Sequence, residues 1–294
     1  MSKTIIDSFN KLKQNLEITS LQKETVSTRH TNVRDVLKKE LIVLEDFLTG
    51  SYSRSTMIAP LKESDIDIFV VLDSKYFHNY NNGQNGGQAG LLDLIKRVLK
   101  KTYTLTPDIS RNGQAVTIRF NDFIVDVVPS FRRSGGGYLI PNSINKEWIS
   151  TDPKVHVDIV SSQNKTHNGD LVPIIKMIKC WNRNNNKYFR SFHLEVLALQ
   201  IFNGVTISDF PSGMRFFFDK ARVLISQKNL DPSGYGGDVG NYLNTQEKIK
   251  DALNQFQLAY DRSIKAEDYA RRGLIKDSID MWIKIFGDYF PVYG

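Results

Sequence analysis

Apolar residues near the start of the chain recur every three or four positions, a spacing that predicts amphipathic helices. The first stripe is Ile5, Phe9, Leu12 and Leu16. The second, longer stripe is Val33, Val36, Leu37, Leu41, Leu44 and Leu48. Glycine commonly follows a helix C-terminus, so we predict that the second helix ends at Thr49-Gly50 and that a turn, Gly50-Ser51, begins there.

A different pattern begins at Asp65 and predicts a β-strand. Asp65 and Asp67 flank Ile66, and the sequence is then wholly apolar through Leu72. Because successive side chains of a strand point to opposite faces, the two carboxylates lie on one face, about 6.6 Å apart along the backbone. Two like charges at the mouth of a buried strand repel each other, which indicates that a cation offsets them.

A predicted β-hairpin supplies a third carboxylate. A turn signal, Asn121-Asp122, separates the β-like runs 116–120 and 123–128. Asp126 is the single charged residue of the second run. A buried acid in a sheet that already holds two acids indicates a functional site rather than surface composition.

The remaining chain is predicted to consist of loops and helices. Residues 79–90 are rich in Asn, Gln and Gly and predict a mobile surface loop, with a helix from Leu91 to Leu99 after it. From about residue 165 the apolar spacing is helical. We therefore predict two domains: a catalytic domain over 1–165, which includes the N-terminal helices, and a helical nucleotide-binding domain over 166–294.

Composition and charge narrow the class of protein. The chain has 294 residues, of which 40% are hydrophobic and 24% charged, as in ordinary globular proteins. Its net charge of +7 favours anionic partners such as nucleotides or nucleic acid. Because the charges are spread along the chain, a generally basic protein without such a partner explains the balance about as well.

The single cysteine, Cys180, excludes an intramolecular disulfide and a multi-cysteine zinc site. The N-terminus lacks the apolar segment of a signal peptide, and no apolar run reaches membrane-spanning length. We expect a cytoplasmic protein with no membrane partner and no zinc.

These residues together predict nucleotidyl transfer. Three carboxylates on adjacent strands can hold two divalent cations, and magnesium, or manganese in its place, suits carboxylate ligands together with phosphate oxygens. One metal ion would lower the pKa of an attacking hydroxyl, and the other would neutralise triphosphate charge. The Gly50-Ser51 turn offers backbone N–H groups and a hydroxyl to phosphate.

Several of these motifs resemble those of a known superfamily. Gly50-Ser51, Asp65-x-Asp67 and the strand 123–129 resemble the polymerase-β-like nucleotidyltransferases, which carry three acids on a small mixed sheet. Within that superfamily, the segments 179–183, 191–194 and 231–235 resemble the bacterial CD-NTases (DncV-like, SMODS nucleotidyltransferases), relatives of cyclic GMP-AMP synthase and the oligoadenylate synthetases. The resemblance implies an α+β fold of two lobes: a small mixed β-sheet with helices, and a C-terminal helical lobe.

The resemblance also implies roles for single residues. The implied metal ligands are Asp65, Asp67 and Asp126, and Asp126 also orients or deprotonates the ribose hydroxyl. The implied substrate-binding residues are Gly50 and Ser51 at the donor phosphates, Lys179 and Ser191 at the triphosphate, and Asp231 at a nucleotide. Phe192 stands where many relatives carry tyrosine, so a hydroxyl contact to phosphate is missing. The zinc ligands of the animal DNA sensor have no counterpart, which argues against direct activation by DNA.

We therefore expect an enzyme that joins NTPs into a cyclic di- or trinucleotide second messenger, as in bacterial anti-phage (CBASS) signalling, with possible regulatory protein partners. One alternative keeps the chemistry and changes the acceptor: linear, template-independent transfer to RNA or oligoadenylate. Phosphatase sensitivity of the product separates these two hypotheses. A catalytically silent nucleotide sensor is a third hypothesis, which loss of turnover in Asp65→Ala or Asp67→Ala would exclude.

Overall fold

The computed structural model describes residues 3–104 and 108–294, which divide into two units. The sheet unit is 18–157, and the helical unit is 1–17 together with 158–294. The expected division placed the boundary at residue 165 and the N-terminal helices in the catalytic domain. Here the sheet unit ends at residue 157, and the first helix, α1 (Ile5–Asn15), belongs to the helical unit. Its Phe9 packs edge-on against the rings of Trp282 and Phe286, so the aromatic core of the helical unit holds α1.

The sheet unit contains the strands and their covering helices. Its helices are α2 (Ser20–Glu40), α3 (Gly50–Ser53), α4 (Ser74–Tyr80) and α5 (Gly87–Thr102), and α6 (Pro153–Thr166) crosses the boundary between the units. Its strands are β1 (Val43–Thr49), β2 (Asp65–Leu72), β3 (Ile109–Asn112), β4 (Ala115–Arg119), β5 (Ile124–Arg132), β6 (Tyr138–Asn142) and β7 (Glu147–Thr151). Short 3-10 turns cover Leu61–Glu63 and Asn81–Gly86.

The strands form one small mixed sheet in the order β1-β2-β5-β4-β3, and β6 pairs with β5 and with β7. The pair β2/β5 is parallel, and the other pairs are antiparallel. One face of β2 buries Ile66, Ile68 and Val70 in a core that α2 and α5 cover. On the other face Phe69 and Val71 pack with residues of β6. The predicted α+β class with a mixed sheet is confirmed, as is the hairpin of β4 and β5.

The predicted second helix is wrong over its second half. Helix α2 ends at Glu40, and 43–49 form β1, which pairs with β2 from Val43↔Leu72 to Thr49↔Asp67. Pairing with β2 overrides the helical spacing of the apolar residues. Asp46 of β1 is held by Lys38 of α2 at 2.6 Å, so the helix and the strand are fastened side by side.

The predicted surface loop at 79–90 is shorter in the structure. Helix α4 ends at Tyr80, and α5 begins at Gly87, four residues before the predicted start. Between them, 82–86 are exposed, and the backbone is non-helical from Asn82 to Asn85. The indole N–H of Trp148 on β7 donates to Asn81 Oδ1 at 3.1 Å, so the first residue of this segment is attached to β7.

The helical unit has an aromatic core. Its further helices are α7 (Leu171–Asn184), α8 (Ser191–Phe202), α9 (Phe210–Leu224), α10 (Gln246–Arg271) and α11 (Ile275–Phe286). Trp181 of α7 is buried and stacks on Phe189, and it contacts Phe256 of α10. Within the described ranges, no helix is both long and apolar enough to cross a membrane.

Candidate active site

The two central strands of the sheet place the predicted acids together. Asp67 and Asp126 are direct partners in the parallel pair β2/β5, so their side chains lie on the same face of neighbouring strands, about 4.8 Å apart at the backbone. Asp65 lies two residues before Asp67 on that face and is solvent-exposed. The other two carboxylates are partly buried. The three acids form one cluster at the start of β2, which we call the carboxylate cluster.

Two threonines extend the row across the sheet. Thr49 of β1 pairs with Asp67, and Thr117 of β4 pairs with Asp126. The buried hydroxyl of Thr117 donates to Asp126 Oδ1 at 2.5 Å and fixes that carboxylate. The sequence analysis did not identify Thr117. Its signal was a polar residue between two apolar ones, Val116 and Ile118, and the hairpin register places it opposite Asp126.

A glycine is required at residue 50 because the Asp67 carboxylate lies against it, and not because a helix ends there as predicted. It follows strand β1 with φ of +66°, and a Cβ at this residue would overlap Asp67 Oδ2 and lie 2.8 Å from Asp67 Cγ. Both the left-handed backbone and the close carboxylate exclude any side chain here. The turn and the carboxylate cluster therefore form a single structural unit.

Ser51 presents a hydroxyl beside the cluster. Its carbonyl oxygen accepts hydrogen bonds from the N–H groups of Thr56, at 2.9 Å, and Met57, at 3.1 Å, and these close the turn. Across the part of the chain that the structure describes, the Ser51 hydroxyl makes no hydrogen bond. The side chain is thus positioned by its own backbone and is available to a ligand.

The carboxylate cluster is electrostatically unfavourable by itself. Burial, followed by the charges of Asp126 and Asp65, raises the pKa of Asp67 to about 7, and the guanidinium of Arg54 opposes this rise. Burial also raises the pKa of Asp126, against the hydrogen bond from Thr117 and the charge of Arg119. Proximity of like charges and loss of water both disfavour the ionised carboxylates. A cation in the cluster would relieve both effects.

The donor set fits a divalent cation. Magnesium prefers a few carboxylate oxygens completed by water and phosphate oxygens, and neighbouring strand positions can bring Asp67 and Asp126 to one ion. In the described residues, however, no three His, Cys, Asp or Glu side chains already lie close enough together to hold a metal ion. The Asp126 carboxylate is held by Thr117, and the Asp67 carboxylate lies against Gly50.

In the helical unit, Lys179 is held by an acid that sequence reasoning missed. Its ammonium lies 2.6 Å from Glu195 Oε1 of α8, and the two side chains are 6% and 1% exposed. Lys176, one turn earlier on α7, pairs with Glu17 at 2.7 Å. The sequence does mark Glu195, since it is a single acid within the apolar run of α8, four residues after Ser191. Ser191 itself is exposed at the first position of α8.

Asp231 organises its own loop. Its Oδ1 accepts the N–H of Ser233 at 2.8 Å, and its carboxylate lies against the Cα of Gly236, where a Cβ would overlap it. Further along this loop, Tyr242 contacts the buried His193 through its hydroxyl, 3.1 Å from Nδ1. Burial lowers the pKa of His193 to about 4. His193 is therefore a buried packing residue.

Comparison with known proteins places the chain in a family. Residues 3–164 match the model of the Second Messenger Oligonucleotide or Dinucleotide Synthetase domain. A cyclic AMP-AMP-AMP synthase of Acinetobacter sp. (strain ATCC 27244 / 9458) is 29% identical over an alignment that covers 98% of this chain and 86% of that protein.

Solved structures share the fold. The CdnC subunit in a CdnC:HORMA-deltaN complex from E. coli MS115-1 superposes with a TM-score of 0.75 at 19% identity, covering 97% of this chain and 98% of that one. The CdnG CD-NTase of Bradyrhizobium diazoefficiens, solved in complex with GTP, gives a TM-score of 0.73 at 13% identity, covering 96% and 94%. The chain belongs to the Second Messenger Oligonucleotide or Dinucleotide Synthetase family, and hence to the bacterial CD-NTases.

Proposed function

We propose that the carboxylate cluster is the catalytic centre at which this nucleotidyltransferase joins NTPs into a cyclic oligonucleotide second messenger. The observation that carries the proposal is the register Asp67↔Asp126 together with Gly50, whose Cα lies against the Asp67 carboxylate. Membership of the family supports the same chemistry.

Asp65, Asp67 and Asp126 would hold the divalent cations, for which we propose two Mg²⁺ or Mn²⁺ ions. When bound, the metal supplies charge neutralisation for the triphosphate and lowers the pKa of the attacking hydroxyl. The raised pKa of Asp67 supports this assignment, because a cation restores the ionised carboxylate that burial disfavours.

Asp126 is the proposed base for the ribose hydroxyl. Its pKa is raised by burial, so it accepts a proton more readily than an ordinary aspartate does. The Thr117 hydroxyl holds Oδ1 at 2.5 Å and leaves Oδ2 for the substrate or a metal ion. The Ser51 hydroxyl would donate to a phosphate oxygen of the donor nucleotide.

For the helical unit we propose that Lys179 and Ser191 bind the triphosphate and that Asp231 supports a loop near a nucleotide. The Lys179 ammonium is paired with Glu195, and we propose that it shares this partner with a phosphate oxygen when a nucleotide binds. Asp231 acts through the loop 231–237, which its carboxylate organises.

For the product we propose a cyclic trinucleotide of adenosine, because a cyclic AMP-AMP-AMP synthase matches almost the whole chain. We also propose activation by a regulatory protein, since a structural neighbour was solved as a complex with a HORMA protein. A cytoplasmic role in anti-phage defence follows from these two proposals.

The decisive experiment incubates the purified chain with each labelled NTP and with mixtures, in Mg²⁺, in Mn²⁺ and in EDTA. We expect a phosphatase-resistant product that needs the metal, that Asp67→Ala abolishes, and that Asp251→Ala, an exposed control on α10, leaves intact. A phosphatase-sensitive ladder would instead establish linear transfer. No product in any mixture, with infected-cell extract added as a source of activator, would refute the proposal.

A further inference from the structure

The sheet unit has a cavity of about 640 Å³, which is lined by the Asn81–Gly86 segment, the start of α5 and the β6–β7 hairpin. We propose that this cavity is a binding site for a nucleotide, with the base between Gln88 and Trp148 and the phosphate at the N-terminus of α5 beside Lys146. We call it the Gln88 cavity. None of its lining residues belongs to the carboxylate cluster, so the proposal does not depend on the reaction proposed above.

Gln88 is the central observation. The residue is only 7% exposed, and its side chain lines the cavity. Among the residues that the structure describes, none hydrogen-bonds to its amide group. The amide atoms are accessible to solvent, unlike the fully buried polar atoms of the core that lack a partner. A ligand in the cavity that offers both a donor and an acceptor would bind them. The edge of a nucleobase carries that pair of groups.

Trp148 supplies a fixed aromatic surface. Its N–H donates to Asn81 Oδ1 at 3.1 Å, and its ring packs edge-on against Phe131 with centroids 5.5 Å apart. The ring is therefore held in place while its partly exposed side lines the cavity. Planar bases stack on such rings, whatever their identity.

Positive potential lies at the other side of the cavity. Helix α5 is 16 residues long, and its first-turn N–H groups and dipole favour an anion. The exposed ammonium of Lys146 adds a full positive charge at the rim. The one lining carboxylate, Glu147, already accepts hydrogen bonds from Asn142 at 3.1 Å and Asn145 at 3.0 Å.

The volume of the cavity agrees with a ligand of nucleotide size, because pockets for small molecules measure about 300–1,000 Å³. A free phosphate would leave Trp148 and Gln88 unused, and a free nucleoside would leave α5 and Lys146 unused. A molecule that joins a planar base to a phosphate uses all four features.

Tryptophan fluorescence tests the proposal directly. The other two tryptophans, Trp181 and Trp282, are 2% and 0% exposed, so quenching by an added base reports on Trp148. The full-length chain is titrated with AMP, adenosine and inorganic phosphate in EDTA, which removes metal-dependent binding at the carboxylate cluster. We expect saturable quenching by AMP, at least tenfold weaker binding of adenosine, and no quenching by phosphate.

Variants assign the signal to the cavity. Gln88→Leu and Lys146→Glu should each raise the Kd for AMP at least tenfold, whereas Lys100→Glu, an exposed lysine at the far end of α5, should leave it unchanged. Equal Kd values in all three variants, quenching by phosphate alone, or no saturable quenching by millimolar AMP would overturn the proposal. Gln88→Leu keeps the approximate size of the side chain, and Lys146 lies on the surface. The Tm of both variants should match that of the unmodified chain, and measuring it excludes a folding defect as the cause of the result.

Because binding is measured without metal and without turnover, it is separable from the cyclisation reaction. If the chain binds AMP but makes no cyclic product, the proposed nucleotide site stands and the proposed function fails. If it makes the cyclic product but does not bind AMP, the nucleotide site is refuted and the proposed function stands.

Discussion

Replacing Asp67 by asparagine should stabilise the metal-free protein while abolishing its activity. Asparagine keeps the shape of the side chain against Gly50 but removes the charge that burial, Asp126 and Asp65 disfavour. Stability and function are therefore opposed at this residue, as expected of a site assembled to bind a cation.

The magnitude follows from the pKa of Asp67. Because this carboxyl keeps its proton to a higher pH in the folded state than in the unfolded state, the free energy of unfolding falls as pH rises from about 4 to about 7 and stays low above that. A rise of the pKa from 3.8 to about 7 corresponds to a loss of about 4 kcal/mol at pH 8, as an upper value. Since the side chain is only partly buried, we expect Asp67→Asn to gain about 1–3 kcal/mol.

The assay is urea unfolding at pH 8 in EDTA and again in excess Mg²⁺. The asparagine variant should be the more stable protein in EDTA, and Mg²⁺ should stabilise the unmodified chain more than the variant, because a ligand of the folded state adds to its stability. Asp251→Asn, on the exposed face of α10, is the matched control and should change neither value. If Asp67→Asn is equally or less stable in EDTA, the charge argument for the carboxylate cluster is refuted.

Four further outcomes are expected. Gly50→Ala should reduce activity at least a hundredfold, measured as product per hour, because its Cβ displaces the Asp67 carboxylate; normal activity would show that the contact is not needed. Thr117→Val should lower kcat by a larger factor than it raises KM, and it should shift the pH dependence of kcat, because Asp126 loses the hydrogen bond from Thr117. An unchanged pH dependence of kcat would contradict this role. Glu195→Gln should lower the free energy of unfolding by about 3 kcal/mol, because it removes the negative charge that faces the buried Lys179 ammonium. Asp280→Asn, at an exposed ion pair, should leave the free energy of unfolding unchanged within error. Equal losses in the two variants would refute this difference. The contribution of His193 to the free energy of unfolding should fall by about 3 kcal/mol from pH 6.5 to below pH 4, because its pKa is depressed to about 4 in the folded state. This contribution opposes that of Asp67, so it is measured as the difference between the unmodified chain and His193→Gln in urea unfolding at each pH. A difference that stays constant over this range would contradict the assignment.

The carboxylate cluster was readable from the sequence because its signals are local. The alternation of Asp65 and Asp67 fixes a shared face, and the Asn121-Asp122 turn fixes where the β5 strand of Asp126 begins. Periodicity of side chains and turn chemistry depend on neighbouring residues only, so they survive in a single sequence.

Features that depend on tertiary pairing were not readable. Leu44 and Leu48 continue the helical spacing of α2, yet pairing with β2 makes the segment a strand. The partner of Lys179 lies on another helix, and only packing shows that Glu195 faces it. Similarly, Gln88 stands in a polar, glycine-rich segment that composition assigns to a surface loop, and only the fold shows that it is buried in the first turn of α5.

Mass spectrometry of the product made from NTPs tests the central claim most directly, with the unmodified chain and Asp126→Asn compared in Mg²⁺, with and without infected-cell extract. The account predicts a phosphatase-resistant cyclic oligonucleotide, expected to be the cyclic trimer of AMP, which is absent when Asp126 is replaced. A linear product, or a cyclic product that Asp126→Asn makes at the same rate, would contradict the account.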